Sequence, residues 1–254
     1  MGTVARPFIF AWHFLTTIPL SRAHHEPTAP ELAASMVWYP VVGLLIGGGL
    51  VAADWALRLV VESAVVNALL ILLLVVLTRG LHQDGLADTL DGLAGGHTLP
   101  ERLSIMRDPR IGALGATGLF LSLILRYAGL MALPQELRVP ALCCMPAVGR
   151  WTMVTLAWTS PSARAEGGLA APFLKHLSWQ HVALSTLILG VGLAGGFGAV
   201  GAGLIIMAGT GVVHVSWRAC RRWFGGITGD TLGATNEVIE ILFLLLVPLL
   251  LRLS

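Results

Sequence analysis

Seven apolar segments, at 37–57, 63–79, 112–133, 140–158, 181–198, 200–217 and 237–253, dictate most of what this chain can become. Each is close to the roughly 17–25 residues that a helix needs to cross the hydrocarbon of a bilayer. Only 12% of the residues are charged, against about 25% in a soluble domain. The expected fold is all-α: one membrane-embedded domain over residues 1–254, a polytopic bundle of about seven transmembrane helices in contact with the lipid bilayer, with six as the alternative count. The stretch 181–217 is long enough for two spans, broken near Gly195, Gly196, Gly198 and Gly201. Glycine is frequent in membrane helices because small residues let backbones approach, so its abundance argues packing rather than disorder.

Ahead of the first span, Met1 to Leu20 has the outline of a signal peptide, but His13, Thr16, Thr17 and Pro19 cut its apolar run short. An uncleaved interfacial or re-entrant helix fits better. Ser21 to Ala34 reads as a polar surface loop, and the exposed pair His24 and His25 in it as incidental. Threading the spans puts Arg6, Arg22, Arg79, Arg102, Arg107, Arg110, Arg164, Lys175, Arg218, Arg221 and Arg222 on one side, against Arg58, Arg138 and Arg252 on the other. The positive-inside rule makes the first side cytoplasmic. A net charge of +2 without a basic block gives no reason to expect nucleic acid as a partner. Cys143, Cys144 and Cys220 have no metal-ligand spacing and read as small buried hydrophobes.

Against this apolar background one stretch stands out. Arg79 to Gly115 holds five of the fourteen acidic residues. Asp84, Asp88 and Asp91 lie at i, i+4 and i+7, which places all three carboxylates on one face of a helix. Like charges so placed repel, and a divalent cation reverses the sign of that interaction. Short carboxylates without cysteine suit a hard ion, Mg²⁺ or Mn²⁺. A charge run is commonly just a solvated face. Two features favour a site instead: Gly85 and Gly92 each follow an Asp, as expected where a backbone or ligand comes close, and Arg102, Arg107 and Arg110 follow on the same loop. Anionic metal ligands followed by guanidinium groups suit a diphosphate bound with Mg²⁺.

A second cluster, RRWFGGITGDTLGATNEVIE, begins at Arg221 and again combines guanidinium groups, glycines and carboxylates. Gly225, Gly226 and their neighbours can offer amides to phosphate oxygens. Thr228 or Thr231 can cap a helix, and Asp230, Glu237 and Glu240 can complete a metal shell or hold a hydroxylated substrate. Glu237 and Glu240 enter an apolar span, where carboxylates need partners. Arg126 and Arg150 also fall inside predicted spans. Arg150 is read as a functional residue, and Arg126, beside Tyr127, as a helix-packing one.

The runs LHQDGLADTLDGLAGG and RLSIMRDPRIGALG resemble the signature of the cobalamin synthase family, the adenosylcobinamide-GDP ribazoletransferases, and RRWFGGITGDTLGATNEVIE resembles that family's C-terminal motif. Weaker matches are FLTTIPL, WYPVVGLLIG, GRW and SARAEGGL, so the resemblance covers nearly the whole chain. It implies a bacterial inner-membrane enzyme with its active-site loops cytoplasmic, small-molecule substrates and Mg²⁺. The 3′-hydroxyl of α-ribazole, or of its 5′-phosphate, would attack the phosphorus attached to adenosylcobinamide and expel GMP. On that reading Asp84, Asp88 and Asp91 hold Mg²⁺, Arg107 and Arg110 neutralise the leaving group, and Asp108 or His82 is the base. Arg102, Arg150, Arg164, Glu166, Arg221, Arg222, Gly225, Gly226, Thr228, Asp230 and Glu237 are the candidate substrate contacts. Gln83, Arg107, Pro109 and Ser162 depart from the family's usual residues, which bears on fine substrate contacts rather than on the reaction. A homo-oligomer or association with other corrinoid-pathway enzymes is left open.

Two other readings compete. A CDP-alcohol phosphotransferase also starts from a DGxxA motif, but its pattern continues with Arg after that Ala, where this chain has Asp88, and has wider Asp spacing. A cation transporter uses intramembrane charges, but here the acidic cluster sits in a loop and no inverted repeat is evident.

Overall fold

A computed structural model describes residues 5–21, 26–163 and 171–250. The elements are α1 (Ala5–Leu15), α2 (Ala29–Ser35), a 3₁₀ turn (Met36–Trp38) leading into α3 (Tyr39–Leu57), α4 (Ser63–Thr78), α5 (Leu81–Gly95), α6 (Leu99–Ile105), α7 (Ala113–Ala132), α8 (Gln135–Thr159), α9 (Ala171–Leu174), α10 (Trp179–Phe224) and α11 (Gly229–Leu250). Among the described residues there is no strand beyond an isolated bridge between Ser162 and Ile227. The expected surface loop at 21–34 is corrected in part. Its second half is helical, because Thr28 and Glu31 form a reciprocal capping box and Pro30 stands in the first turn, where proline costs no hydrogen bond. His24 and His25 lie outside the described residues.

Among the described residues five helical runs are long and apolar enough to cross a membrane (29–57, α7, α8, α10 and α11), or six if the bent pair α4 and α5 counts as one span. The expected number of seven is not reached by that measure, because α10 counts once. Its 46 residues would extend about 69 Å as a single helix, more than twice the roughly 30 Å hydrocarbon layer. Gly198, at φ 69° and ψ 173°, interrupts it. On the first limb Gly196 abuts Pro140 and Thr186 accepts a 2.8 Å hydrogen bond from Trp151 Nε1. On the second, Gly209 lies under the Trp151 ring and Trp217 donates to the Thr159 carbonyl at 3.1 Å. The chain therefore doubles back at Gly198, where only glycine adopts the backbone without strain, and both limbs flank α8.

Helix α8 is the centre of the bundle, packing on α3, α10 and α11. Gly43 and Gly47 of α3 let its backbone close onto Ala147 and Cys143 of α8, the small-residue contact expected inside a membrane. At the end of the bundle far from the Asp-rich segment, Arg138 pairs with Asp54 at 2.7 Å and donates to Asn67 at 2.6 Å and to the Leu130 carbonyl at 3.2 Å, while Arg58 reaches Asp54 at 2.9 Å. One buried guanidinium thus joins α3, α4, α7 and α8.

A second ionic cluster lies in the core. Arg126 of α7 pairs with Glu237 and Glu240 of α11, both at 2.7 Å, and Arg150 of α8 pairs with Glu240 at 2.8 Å. Asn236 donates to Glu240 at 3.0 Å. A side chain at Gly149 would run into Asn236 and Glu240, so the glycine leaves room for the cluster. Two cations and two anions cancel, which is what tolerates four charges that are each no more than 1% exposed. The cluster ties α7, α8 and α11 together through Glu237 and Glu240, while Arg150 bonds through Nη1 alone and keeps its buried Nε and Nη2 without a partner among the described residues, so its expected role as a substrate contact is not displaced.

Candidate active site

The Asp-rich helix is set by a backbone break. Arg79 (φ 55°, ψ 23°) and Gly80 (φ 65°, ψ 15°) are consecutive left-handed residues after α4, and they turn the chain by 87° into α5. Glycine adopts that conformation freely, whereas a residue with a Cβ gives up roughly 1–2 kcal/mol. Arg79 is the one non-glycine residue with positive φ among those described. The turn lays α5 across the end of the bundle against α7 and α11. Gly85 faces the Asp230 backbone, and Gly233 faces the backbone of His82 and Gly85. The two motifs far apart in sequence thus meet through a reciprocal pair of glycines.

A Cβ at position 85 would sit 2.6 Å from the Asp230 carbonyl oxygen, so Gly85→Ala must push α5 off α11. The expected cost is about 1–3 kcal/mol, typical of overpacking, read as a lower thermal midpoint of the detergent-solubilised protein. Gly48→Ala, with nothing within 4 Å of the added carbon, is the matched control and leaves the midpoint unchanged or higher.

The three predicted metal carboxylates do not share one environment. Asp84 and Asp88 line a polar cavity of about 920 Å³, together with Arg79, Arg107, Asp108 and Arg110. Asp91 faces the start of α7, where its two carboxylate oxygens accept hydrogen bonds from the Gly112 and Gly115 amides, both at 2.7 Å. It caps a helix N-terminus from a neighbouring helix, satisfying donors that have no intrahelical partner. Among the described residues no group of three or more His, Cys, Asp or Glu is arranged to hold a metal ion. The pair Asp84 and Asp88 remains, and Mg²⁺ characteristically uses one or two carboxylates, completing its shell with water and substrate phosphate.

The arginines come from the segment after α6. Thr98 and Glu101 form a capping box that starts α6, and Arg102 anchors it by donating to the Gly96 carbonyl at 2.9 Å and the Trp223 carbonyl at 3.2 Å. Arg102 is thus a positioning residue, turned away from the cavity its neighbours line. Arg107 and Arg110 do face the cavity. Asp108 binds Arg110 through two hydrogen bonds of 2.9 and 2.6 Å. This contact, helped by the Arg110 amide, holds the Asp108 carboxyl down at about 2, far from the neutral range in which a general base works well.

A smaller cavity of about 120 Å³ adjoins the first, and Phe14, Leu81 and Asp84 line both. It also receives His82, Asp230, Tyr39 and Phe173. His82 is 2% exposed, and neither ring nitrogen has a hydrogen-bond partner among the described residues. Asp230 reaches this cavity from the first turn of α11. That turn is fixed by Thr228 and Thr231: the Thr231 amide donates to the Thr228 hydroxyl at 3.2 Å, and the Thr228 amide to the Thr231 hydroxyl at 2.9 Å. Gly225, at φ 72°, ends α10, and Gly226 lets the chain close onto Pro161 and Ala163, where Ile227 donates to the Pro161 carbonyl at 3.0 Å and accepts from the Ala163 amide at 2.8 Å. Gly225, Gly226 and Thr228 therefore shape the approach to Asp230 without lining either cavity. Arg221 lies over the Trp217 ring at 5.2 Å and Arg222 is exposed; neither lines these cavities. Arg164 and Glu166 lie outside the described residues.

Several lining residues were not foreseen. His13, Phe14 and Thr16 come from α1 and the turn after it, which Thr17 docks onto α4 by donating to the Leu77 carbonyl at 2.8 Å. His13 Nε2 accepts from the Leu20 amide at 3.0 Å, closing that turn. The signal was present in the polar residues that interrupt the N-terminal apolar run.

The sequence pattern of the cobalamin-5-phosphate synthase family matches residues 7–248. An adenosylcobinamide-GDP ribazoletransferase of Syntrophobacter fumaroxidans is 39% identical over 92% of this chain and 94% of its own length. The protein of that name from Desulforamulus reducens is 38% identical over 92% of this chain and 93% of its own, and that from Pseudomonas fluorescens strain Pf0-1 is 37% identical over 92% and 96%. No solved structure matches the chain.

Proposed function

The chain belongs to the cobalamin-5-phosphate synthase family of enzymes, and from that premise we propose that it transfers the adenosylcobinamide phosphate of adenosylcobinamide-GDP to the 3′-hydroxyl of α-ribazole or of its 5′-phosphate. The observation that carries the reading is the large cavity, in which Asp84 and Asp88 from one motif stand with Arg107 and Arg110 from the next. Carboxylates and guanidinium groups around one space suit a diphosphate accompanied by a divalent cation, and neither set alone would. The family's description points to the phosphorylated acceptor, and the relatives' name to ribazole itself.

In the transfer, a bond forms between the acceptor 3′-oxygen and the phosphorus carrying cobinamide, the bond from that phosphorus to the GMP oxygen breaks, and the hydroxyl proton passes to a base. Arg107 and Arg110 stabilise charge gathering on the departing GMP. Of the two candidate bases His82 is the better placed, since Asp108 is spent on Arg110 while the His82 ring borders a cavity at Asp84. Mg²⁺, held by Asp84 and Asp88, would supply Lewis-acid neutralisation of the diphosphate. The active-site end of the bundle faces the cytoplasm of a bacterial inner membrane, following the excess of basic residues on that side. Purified protein given both substrates should form the cobalamin product with Mg²⁺, lose activity in excess EDTA and regain it when Mg²⁺ is restored. Unchanged turnover in EDTA would remove the metal from this account.

A further inference from the structure

We infer that the smaller cavity is the subsite for the flat heteroaromatic base of the acceptor nucleoside, so that Phe14, Tyr39 and Phe173, with Met36, Met153 and Leu174, select the acceptor. The inference rests on the transferase reading above, and goes beyond it by giving the two substrates separate places.

Three observations lead to it. The first is composition: apart from His82, Asp84 and Asp230, the side chains bordering the cavity are aromatic or aliphatic. Phe14 lies at 6.2 Å from Tyr39 with the rings 19° from parallel, and at 5.3 Å from Phe173. A planar ring inserted beside such a set gains offset or edge contacts at each face, and methionine side chains adapt to its outline. The second is size. The volume is about 120 Å³, the scale of one aromatic ring, since an apolar cavity of roughly 150 Å³ takes up one benzene; it therefore takes one ring of a fused base, and the rest extends past Phe14, Leu81 and Asp84 into the larger space. A corrinoid or a nucleoside diphosphate is far larger and belongs in the 920 Å³ space. The third is the placing of polar groups. His82 is buried with both ring nitrogens unpartnered within the described residues, and it borders this cavity together with Asp84 and Asp230. Unpartnered buried nitrogens are costly unless a ligand completes them.

These features fit a nucleoside end to end. One ring of the base enters the apolar part, the ribose hydroxyls meet His82, Asp84 and Asp230 at its open side, and the shared wall at Asp84 turns the reacting hydroxyl towards the diphosphate in the larger space. Selectivity would then come from the shape of the apolar part, since a base with an added exocyclic polar group would bury it against Met36 and Met153 unpaired.

Equilibrium dialysis of radiolabelled α-ribazole against the detergent-solubilised full chain, without corrinoid, tests this directly. Two variants bracket the cavity: Leu174→Trp fills it and Phe173→Ala removes one wall, and each is first checked for an unchanged elution volume and thermal midpoint. The expected result is saturable binding to the parent protein that weakens about tenfold in both variants, the loss of one aromatic contact being worth up to about that factor. In steady state, KM for α-ribazole rises by a similar factor while KM for adenosylcobinamide-GDP moves less than twofold. If both variants bind α-ribazole like the parent, or if the KM for adenosylcobinamide-GDP is the one that rises, the assignment is wrong. Failure of the transferase reading looks different: no turnover by the parent protein, with dialysis still reporting on the cavity.

Discussion

Asp84→Asn is expected to lower turnover by about 10²–10³-fold, the usual loss when one charged group facing the reacting centre is removed, while the thermal midpoint of the solubilised protein stays in place. The reason is position. Asp84 lines both cavities, so its carboxylate adjoins the space for the diphosphate and the space next to His82. Asp88→Asn should act in the same direction, since Asp88 borders the larger cavity. Asp91→Asn should behave differently despite lying on the same helix. Its carboxylate is committed to the Gly112 and Gly115 amides, so the substitution should first cost stability, about 1–3 kcal/mol for breaking a charge-assisted pair of hydrogen bonds. Steady-state rates and melting curves of the three variants side by side separate the roles. Equal rate losses at unchanged stability in all three would restore a single three-carboxylate metal face.

The other large effect is expected in the core. Glu240→Gln removes the charge shared by Arg126 and Arg150 and leaves two buried cations facing Glu237 alone. Breaking a buried ion pair from one side costs about 3–5 kcal/mol, which for a chain of this size lowers the midpoint by roughly 10 °C. The glutamine keeps one acceptor oxygen, so either Arg126 or the pair Arg150 and Asn236 loses its partner and faces an amide NH₂ instead, and α7, α8 and α11 loosen together. A Glu240→Gln protein that melts within about 2 °C of the parent would show that the cluster carries little of the fold's stability.

How far the sequence foretold this arrangement depends on whether the signal was local. Helix α5 and the single-face spacing of its carboxylates follow from periodicity and are present as expected at Leu81–Gly95. The reading of Gly85 as a close-approach position was also local, though the sequence could not say that the partner would be the Asp230 backbone. Two pairings were invisible. A charge within an apolar span announces that it needs a partner without naming it, so the pairing of Glu237 with Arg126 and of Arg150 with Glu240 shows only with α11 beside α7 and α8. Asp91 read as a third metal ligand because spacing alone does not show a helix N-terminus arriving from 21 residues further on. The reversal at Gly198 is legible from length and glycine content, whereas the prolines and charges in 21–34 point to a loop and mask α2, whose local sign is the Thr28 and Glu31 capping box. Phe14 and Tyr39 come to the site from segments with no charge beside them to mark a role there, and the packing of α1 on α3 and of α3 on α8 brings them there.

The most direct test of the central claim is acceptor-dependent release of GMP. Detergent-purified protein is incubated with adenosylcobinamide-GDP and Mg²⁺, with and without α-ribazole, and GMP is quantified against the corrinoid product. Attack by the acceptor hydroxyl on the cobinamide-side phosphorus predicts GMP and product appearing one for one, and neither without α-ribazole. GMP released at the same rate in the absence of α-ribazole would mean that water or a protein group, not the acceptor, attacks the diphosphate, and would contradict the two-substrate geometry drawn around Asp84.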